Sequence, residues 1–158
     1  MRRFIQSAVM AVAVCACASP PASAQIQGVA SVIDGDTIEI GGKAIRLSGF
    51  DSPERGKRCG TVNVYQKAAL ALSDFIGKRT VTCEDTGDRN NGRIIGICSV
   101  GGVDLGDHVV GQGWARDWPR FSKGKYAEKE AAARKAGRGI WALACPADLW
   151  SGRNYDPR

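Results

Sequence analysis

Cys83 and Cys98 each stand seven residues out from the Asn90–Asn91 pair, and that symmetry restricts the fold more than any other feature of the chain. The flanking stretches, Thr80–Glu84 and Arg93–Val100, read as strands joined through the polar run Asp88-Arg89-Asn90-Asn91-Gly92. An antiparallel hairpin centred between Asn90 and Asn91 sets the two thiols opposite each other, and cross-strand neighbours are near enough to bridge. The chain has 6 cysteines. Cys15 and Cys17 fall in the apolar N-terminal stretch, so Cys59 and Cys145 pair by elimination. An even number of cysteines in the remainder suits an oxidising compartment. The alternative, a zinc site built from all four, has no Cys-x-x-Cys spacing behind it.

The N-terminus agrees with export. Arg2 and Arg3 precede an apolar run, Phe4 to Ala18, that is too short to span a bilayer. Ala22-Ser23-Ala24 is a small-residue cleavage site, which predicts a signal peptide over residues 1–24 and a single mature domain over 25–158. Val14-Cys15-Ala16-Cys17 loosely resembles a lipobox, but the ordinary cleavage site downstream favours a secreted or periplasmic protein with no membrane span after cleavage. Without Arg2 and Arg3 the mature chain keeps 20 basic against 16 acidic residues, a net charge of about +4. That charge is compatible with a polyanionic partner without identifying one. The chain has 1 histidine, His108, which excludes paired-His zinc and two-His phosphotransfer chemistry. His108 shares a helical face with Leu105 and Val109, so a packed imidazole is expected.

The mature chain alternates short strands with helices. Ile26–Ile33, Thr37–Ile40 and Ala44–Leu47 read as strands, the last two joined by Gly41-Gly42. Val64, Ala68, Leu72 and Phe75-Ile76 have helical spacing, ended by Gly77. Asp104 caps a short predicted helix running to Gln112, and the Ala/Glu/Lys/Arg-rich stretch Tyr126–Ala136 is a third, closed by Gly137. The segment after Cys145 has no usable period. About five strands and three helices predict a mainly β fold with helices (α+β), a small Greek-key barrel with helices packed on it.

Polar chemistry concentrates in two places. Asp34-Gly35-Asp36-Thr37 puts two carboxylates around a glycine at a strand junction, where Gly35 is expected to allow a sharp turn. Arg46 and the run Asp51-Ser52-Pro53-Glu54 follow one hairpin later, and the antiparallel return can bring Asp51 beside Asp36. Carboxylates and carbonyls without His or Cys suit a hard cation such as Ca²⁺ or Mg²⁺. Taken singly, Asp-Gly is an ordinary turn and Asp-Ser-Pro-Glu an ordinary helix start. Their combination carries the reading. Arg93 adds a second guanidinium to Arg46, enough to grip one phosphate. Phosphodiester hydrolysis needs such a set: cations against the charge developing on the phosphoryl oxygens, and a carboxylate to orient or deprotonate the attacking water.

Ile33-Asp34-Gly35-Asp36-Thr37, Arg46-Leu47-Ser48-Gly49-Phe50-Asp51-Ser52-Pro53-Glu54, Asn91-Gly92-Arg93, Gly111-Gln112-Gly113-Trp114-Ala115 and Gly139-Ile140-Trp141 resemble, in order and rough spacing, the signatures of the staphylococcal nuclease (thermonuclease) family. The resemblance covers about residues 28–142. It implies a five-stranded OB-fold Greek-key barrel with three α-helices, and Ca²⁺-dependent hydrolysis of DNA and RNA leaving 3′-phosphate ends. It also implies calcium-ligating carboxylates at Asp36 and Asp51, a backbone-carbonyl ligand at Ser52, and an acid near the metal at Asp34. Glu54 matches the general base or water-positioner, and Arg46 and Arg93 the phosphate-binding arginines.

Two departures from the family stand out. Asn91 occupies a position where the family often has an aromatic that contacts the nucleotide, and the segment Asp88–Arg93 is about one residue longer than is usual in the family. Trp118, Phe121 or Tyr126 is a candidate replacement, because single-stranded bases favour aromatic platforms. For Trp118, packing under a loop is an equal alternative. Trp114 and Trp141 are expected in the core. The two disulfides are additions to the founding member of the family, which lacks cysteine. The reading is therefore a monomeric nuclease acting on DNA and RNA, single strands preferred. The alternative is a non-catalytic nucleic-acid-binding OB module of the cell envelope.

Overall fold

Strands β1 (Gln25–Asp34), β2 (Thr37–Ile40), β3 (Lys43–Leu47), β5 (Thr80–Asn90) and β6 (Arg93–Val100) curl into a closed barrel, with the short β4 (Phe50–Asp51), β7 (Val103–Asp104) and β8 (Arg116–Asp117) at its margins. This computed structural model describes residues 25–157; the expected signal peptide, residues 1–24, lies outside the described residues. The sheet runs β3-β2-β1-β5-β6-β7, and a parallel pairing of β3 with β6 closes it. In that seam Ile45 faces Ile94 and Arg46 faces Ile95. The barrel and its helices match the α+β, five-stranded OB-fold expectation.

Alternation fills the barrel. Ile38, Ile45, Leu47, Val81, Cys83, Cys98 and Val100 point inward and are buried. Helix α1 (Val64–Ile76) buries Val64, Ala68, Leu72 and Ile76, one residue every turn, with Leu72 and Ile76 in the barrel core. Its N-cap Asn63 accepts from the Gln66 N–H at 3.1 Å. Helix α2 (Leu105–Gly111) is capped by Asp104, which accepts from the Asp107 N–H at 3.0 Å, and buries Leu105, Val109 and Val110. Each fully buried aliphatic side chain of this kind contributes about 1.5–3 kcal/mol. Helix α3 (Pro119–Ser122) is a single turn, and α4 (Ala127–Lys135) buries only Ala133. Its Glu130 accepts from the Asp117 N–H at 2.6 Å, tying α4 to β8.

The hairpin β5–β6 does pair Cys83 with Cys98, but its turn sits one residue later than the symmetry argument placed it. Asn91 and Gly92 take φ of 48° and 78°, the doubly left-handed pair of a type I′ turn, with Asn90 facing Arg93. A bulge between Asp85 and Arg89 restores the register at the cysteines. Arg89 bridges that bulge with two bonds of 2.9 Å to the Asp85 carboxylate. Asn at position 91 suits that positive φ, which bulky residues rarely adopt.

Both expected disulfides form, Cys83–Cys98 and Cys59–Cys145. The second anchors a smaller core of Cys59, Val64, Ile140 and Leu149, flanked by Val62, Trp114, Trp141 and Trp150. Trp114 and Trp141 thus pack as expected, both partly buried. His108 is half-buried and stacks on Phe75, ring centroids 3.7 Å apart and planes within 6°.

Candidate active site

The β1–β2 turn, the end of β3 and the loop after β4 meet at one mouth of the barrel. Asp36 ends the β1–β2 turn, Thr37 opens β2 and pairs with Arg46 across the β2–β3 ladder, and Asp51 ends β4. Asp36, Asp51 and Ser52 are 6%, 1% and 3% exposed, so three polar residues are buried side by side. Buried carboxylates need partners, and these have them. Asp36 Oδ2 accepts from the Ser52 N–H at 3.0 Å and the Ser52 hydroxyl at 3.1 Å. Asp36 Oδ1 accepts from the Thr37 hydroxyl at 3.2 Å and pairs with Arg46. Arg46 also donates to Asp51 Oδ1 at 3.2 Å and to the Phe50 carbonyl at 3.3 Å. Asp34 Oδ1 accepts from the Asp36 N–H at 3.1 Å, which fixes the turn.

Gly35 serves this junction by its size. The expected sharp turn forms at Gly35-Asp36, between Asp34 and Thr37, but the φ of Gly35 is not positive. A Cβ there would lie 2.7 Å from the Ala68 Cβ and 2.8 Å from the Ser52 Cβ and Oγ. The missing side chain lets the turn press against α1 and the Ser52 segment.

Arg93, first in β6, donates to the Thr37 hydroxyl at 3.2 Å. Thr37 in turn bonds Asp36, so Arg93 is linked to the same cluster through one residue. Burial pushes the Arg46 guanidinium below its ordinary value; Asp51 and Asp34 oppose this, while Arg93 and Arg153 add to it. A guanidinium stays charged through such a shift. Glu54 stands at the rim with its side chain 62% exposed and pairs with Arg153.

A groove of about 330 Å³ leads away from Arg46, with Asn90 on one wall and Trp118 and Phe121 on the other. Trp118 and Phe121 meet edge to face, centroids 4.8 Å apart, and Phe121 is 46% exposed. Tyr126 does not join them. It is 2% exposed, packs edge-on against Phe50, and donates its hydroxyl to Asp104 at 3.1 Å. With no face open to a base, Tyr126 is a core residue and not a stacking platform.

Two residues of this region carried no signal in the sequence. Arg153 Nε donates to Asp51 Oδ2 at 3.3 Å and Oδ1 at 3.4 Å, and the Tyr155 hydroxyl donates to Asp51 Oδ2 at 2.6 Å. Both lie in a segment without period, brought to the site only by tertiary contacts. Burial and then the bond to charged Asp51 push the Tyr155 phenol well above its ordinary range, so it stays a donor.

Among the described residues, no group of three His, Cys, Asp or Glu side chains is arranged to hold a metal. The oxygen groups gathered here are two buried carboxylates, Asp36 and Asp51, both paired with arginines, and the Ser52 hydroxyl beside Asp36. That all-oxygen set fits a hard cation that fills its remaining positions with water.

Residues 44–143 match the family model described as staphylococcal nuclease homologue. The chain belongs to the staphylococcal nuclease homologue family. It is also 36% identical over 127 residues to the succinoglycan biosynthesis protein ExoI of Rhizobium meliloti (strain 1021). The match covers 76% of this chain and 66% of that relative's length. Membership supports a nuclease-like or nucleic-acid-binding module. Of the polar residues expected from the sequence, Asp36, Arg46, Asp51 and Ser52 share direct contacts, Arg93 reaches them through Thr37, and Glu54 sits at the rim. No helix among the described residues is long and apolar enough to cross a membrane.

Proposed function

We propose that this chain is a secreted or periplasmic, Ca²⁺-dependent nuclease that hydrolyses phosphodiester bonds of DNA and RNA. The observation behind this reading is the buried set Asp36–Arg46–Asp51, with Ser52 bonded to Asp36, in a member of a nuclease family. Asp36, Asp51 and Ser52 would hold the ion, with Asp34 acting on it through water. Bound there, the ion supplies Lewis-acid neutralisation of a phosphoryl oxygen and lowers the pKa of water. Arg46 and Arg93 orient the scissile phosphate and match the charge that develops on it. Glu54, exposed at the rim, takes or directs the proton of the attacking water. Trp118 and Phe121 offer the groove a stacking wall, and a base can reach it most easily when unpaired, which favours single strands.

The test is cleavage of single-stranded DNA by residues 25–158 in Ca²⁺ and in EDTA, with Glu54→Gln alongside. Cleavage in Ca²⁺ alone, lost in Glu54→Gln with the fold intact, is expected. DNA left whole under both conditions but retarded on a gel would replace this reading with a non-catalytic binding module.

A further inference from the structure

Asp51 is the most enclosed carboxylate of the site, at 1% exposure, yet most of its hydrogen bonds come from residues more than a hundred positions away. Arg153 spans both of its oxygens, and Tyr155 donates to Oδ2. The same guanidinium pairs with Glu54. The segment is held from both sides. Cys145 is bridged to Cys59, five residues after Glu54, and Leu149 is buried in the small core beside that bridge. Farther on, the Trp118 indole N–H donates to the Asn154 carbonyl, and Arg116 stacks on the Tyr155 ring with its guanidinium carbon 3.7 Å from the centroid. Residues 151–155 therefore lie across the carboxylates that the proposed function assigns to the cation and to the attacking water.

We propose that Arg153 and Tyr155 are competitors, built into the chain, for the cation at Asp51, and so set how much divalent cation the site requires. The inference rests on the metal reading above. A guanidinium and a divalent ion neutralise the same carboxylate charge, and two positive charges packed on Asp51 repel each other. Arg153 must leave Asp51 for the ion to bind. The apparent affinity for the cation is then the intrinsic affinity scaled by the fraction of molecules in which this strap is displaced. Tyr155 strengthens the closed form because its hydroxyl donates to Asp51 Oδ2 at 2.6 Å and must also let go of that oxygen. Lifting the strap also frees Glu54 and the indole N–H of Trp118, so cation binding, the proposed base and the groove wall change together.

The test measures binding of Ca²⁺ alone, by calorimetry without nucleic acid, to the oxidised wild-type protein, Arg153→Gln and Tyr155→Phe, with Asp51→Asn as the control for location. Hydrogen exchange of residues 151–157 is followed with and without Ca²⁺. Expected is a Ca²⁺ affinity about tenfold tighter in Arg153→Gln and a smaller gain in Tyr155→Phe. Asp51→Asn should lose binding, and exchange in the wild-type segment should become faster on adding Ca²⁺. Equal affinity in wild type and Arg153→Gln would overturn the proposal and leave the metal reading standing. Weaker binding in Arg153→Gln would also overturn it, making Arg153 a supporting group. No Ca²⁺ binding by any of the proteins would remove the metal reading and the proposal with it. Binding seen only in Arg153→Gln would support the proposal in its strongest form.

Discussion

Ser52 donates both its backbone N–H and its hydroxyl to a single oxygen of Asp36, at 3.0 and 3.1 Å. The bonds join two loops 16 residues apart in sequence and leave the other Asp36 oxygen for Arg46 and Thr37. Removing the carboxylate takes one of two carboxylate partners from the nearly buried Arg46 guanidinium and leaves it Asp51 and the Phe50 carbonyl. Asp36→Ala should therefore cost about 3 kcal/mol, whereas Ser52→Ala, which loses one neutral-to-charged bond, should cost about 1.5 kcal/mol. Urea unfolding of the two variants checks the ranking; equal losses would mean that Asp51 and the Phe50 carbonyl satisfy Arg46 without Asp36.

Gly35 has no room for a methyl group. With the Ala68 Cβ at 2.7 Å and Ser52 at 2.8 Å, Gly35→Ala must push α1 or the Ser52 loop outward. The expected cost is about 1–3 kcal/mol, with a larger loss in cleavage than in stability because the carboxylates of the turn move. A variant of unchanged stability and activity would show that the junction is not tightly packed.

The two disulfides close loops of 15 and 86 residues. Chain entropy predicts about 3 kcal/mol for the short loop and about 4.5 kcal/mol for the long one. Cys59→Ala/Cys145→Ala should then lower the melting temperature more than Cys83→Ala/Cys98→Ala. The reverse order would mean that packing in the barrel, where Cys83 and Cys98 are buried, outweighs the constraint on the unfolded chain.

Burial against Phe75, reinforced by the charge of Arg79, pushes the His108 imidazole below its ordinary value. The unfolded chain takes up a proton near pH 6.5, while the folded protein resists doing so until lower pH. Protons thus favour the unfolded state, and stability falls as pH drops below about 6.5. His108→Gln should flatten that fall between pH 7.5 and 5.5 in denaturant titrations. An unaltered slope would assign it to other groups.

Arg46 touches Asp36, Asp51 and the Phe50 carbonyl at once. An ammonium cannot reproduce that fork. Arg46→Lys should keep the fold, by circular dichroism, and lose cleavage by about a hundredfold; a loss under threefold would remove Arg46 from the phosphate site.

The sequence by itself determined what local rules govern. Alternation and the four-residue spacing of Val64, Ala68, Leu72 and Ile76 marked strands and a helix, because side-chain direction follows backbone period. Equal spacing about a polar turn paired Cys83 with Cys98, even though the turn itself slipped by one residue at the bulge. The residue types at Asp34, Asp36, Arg46, Asp51, Glu54 and Arg93 indicated a hard-cation, phosphate-directed site. Tertiary structure alone decided the rest. Tyr126 and Phe121 look alike in sequence, but one fills the core and the other faces the groove, because burial depends on what packs opposite. Gly35 is required for its lack of volume, which no backbone preference reveals. Arg153 and Tyr155 join the site because the Cys59–Cys145 bridge and Leu149 carry an aperiodic segment back to Asp51. Contacts across a hundred residues leave no period in the chain that makes them.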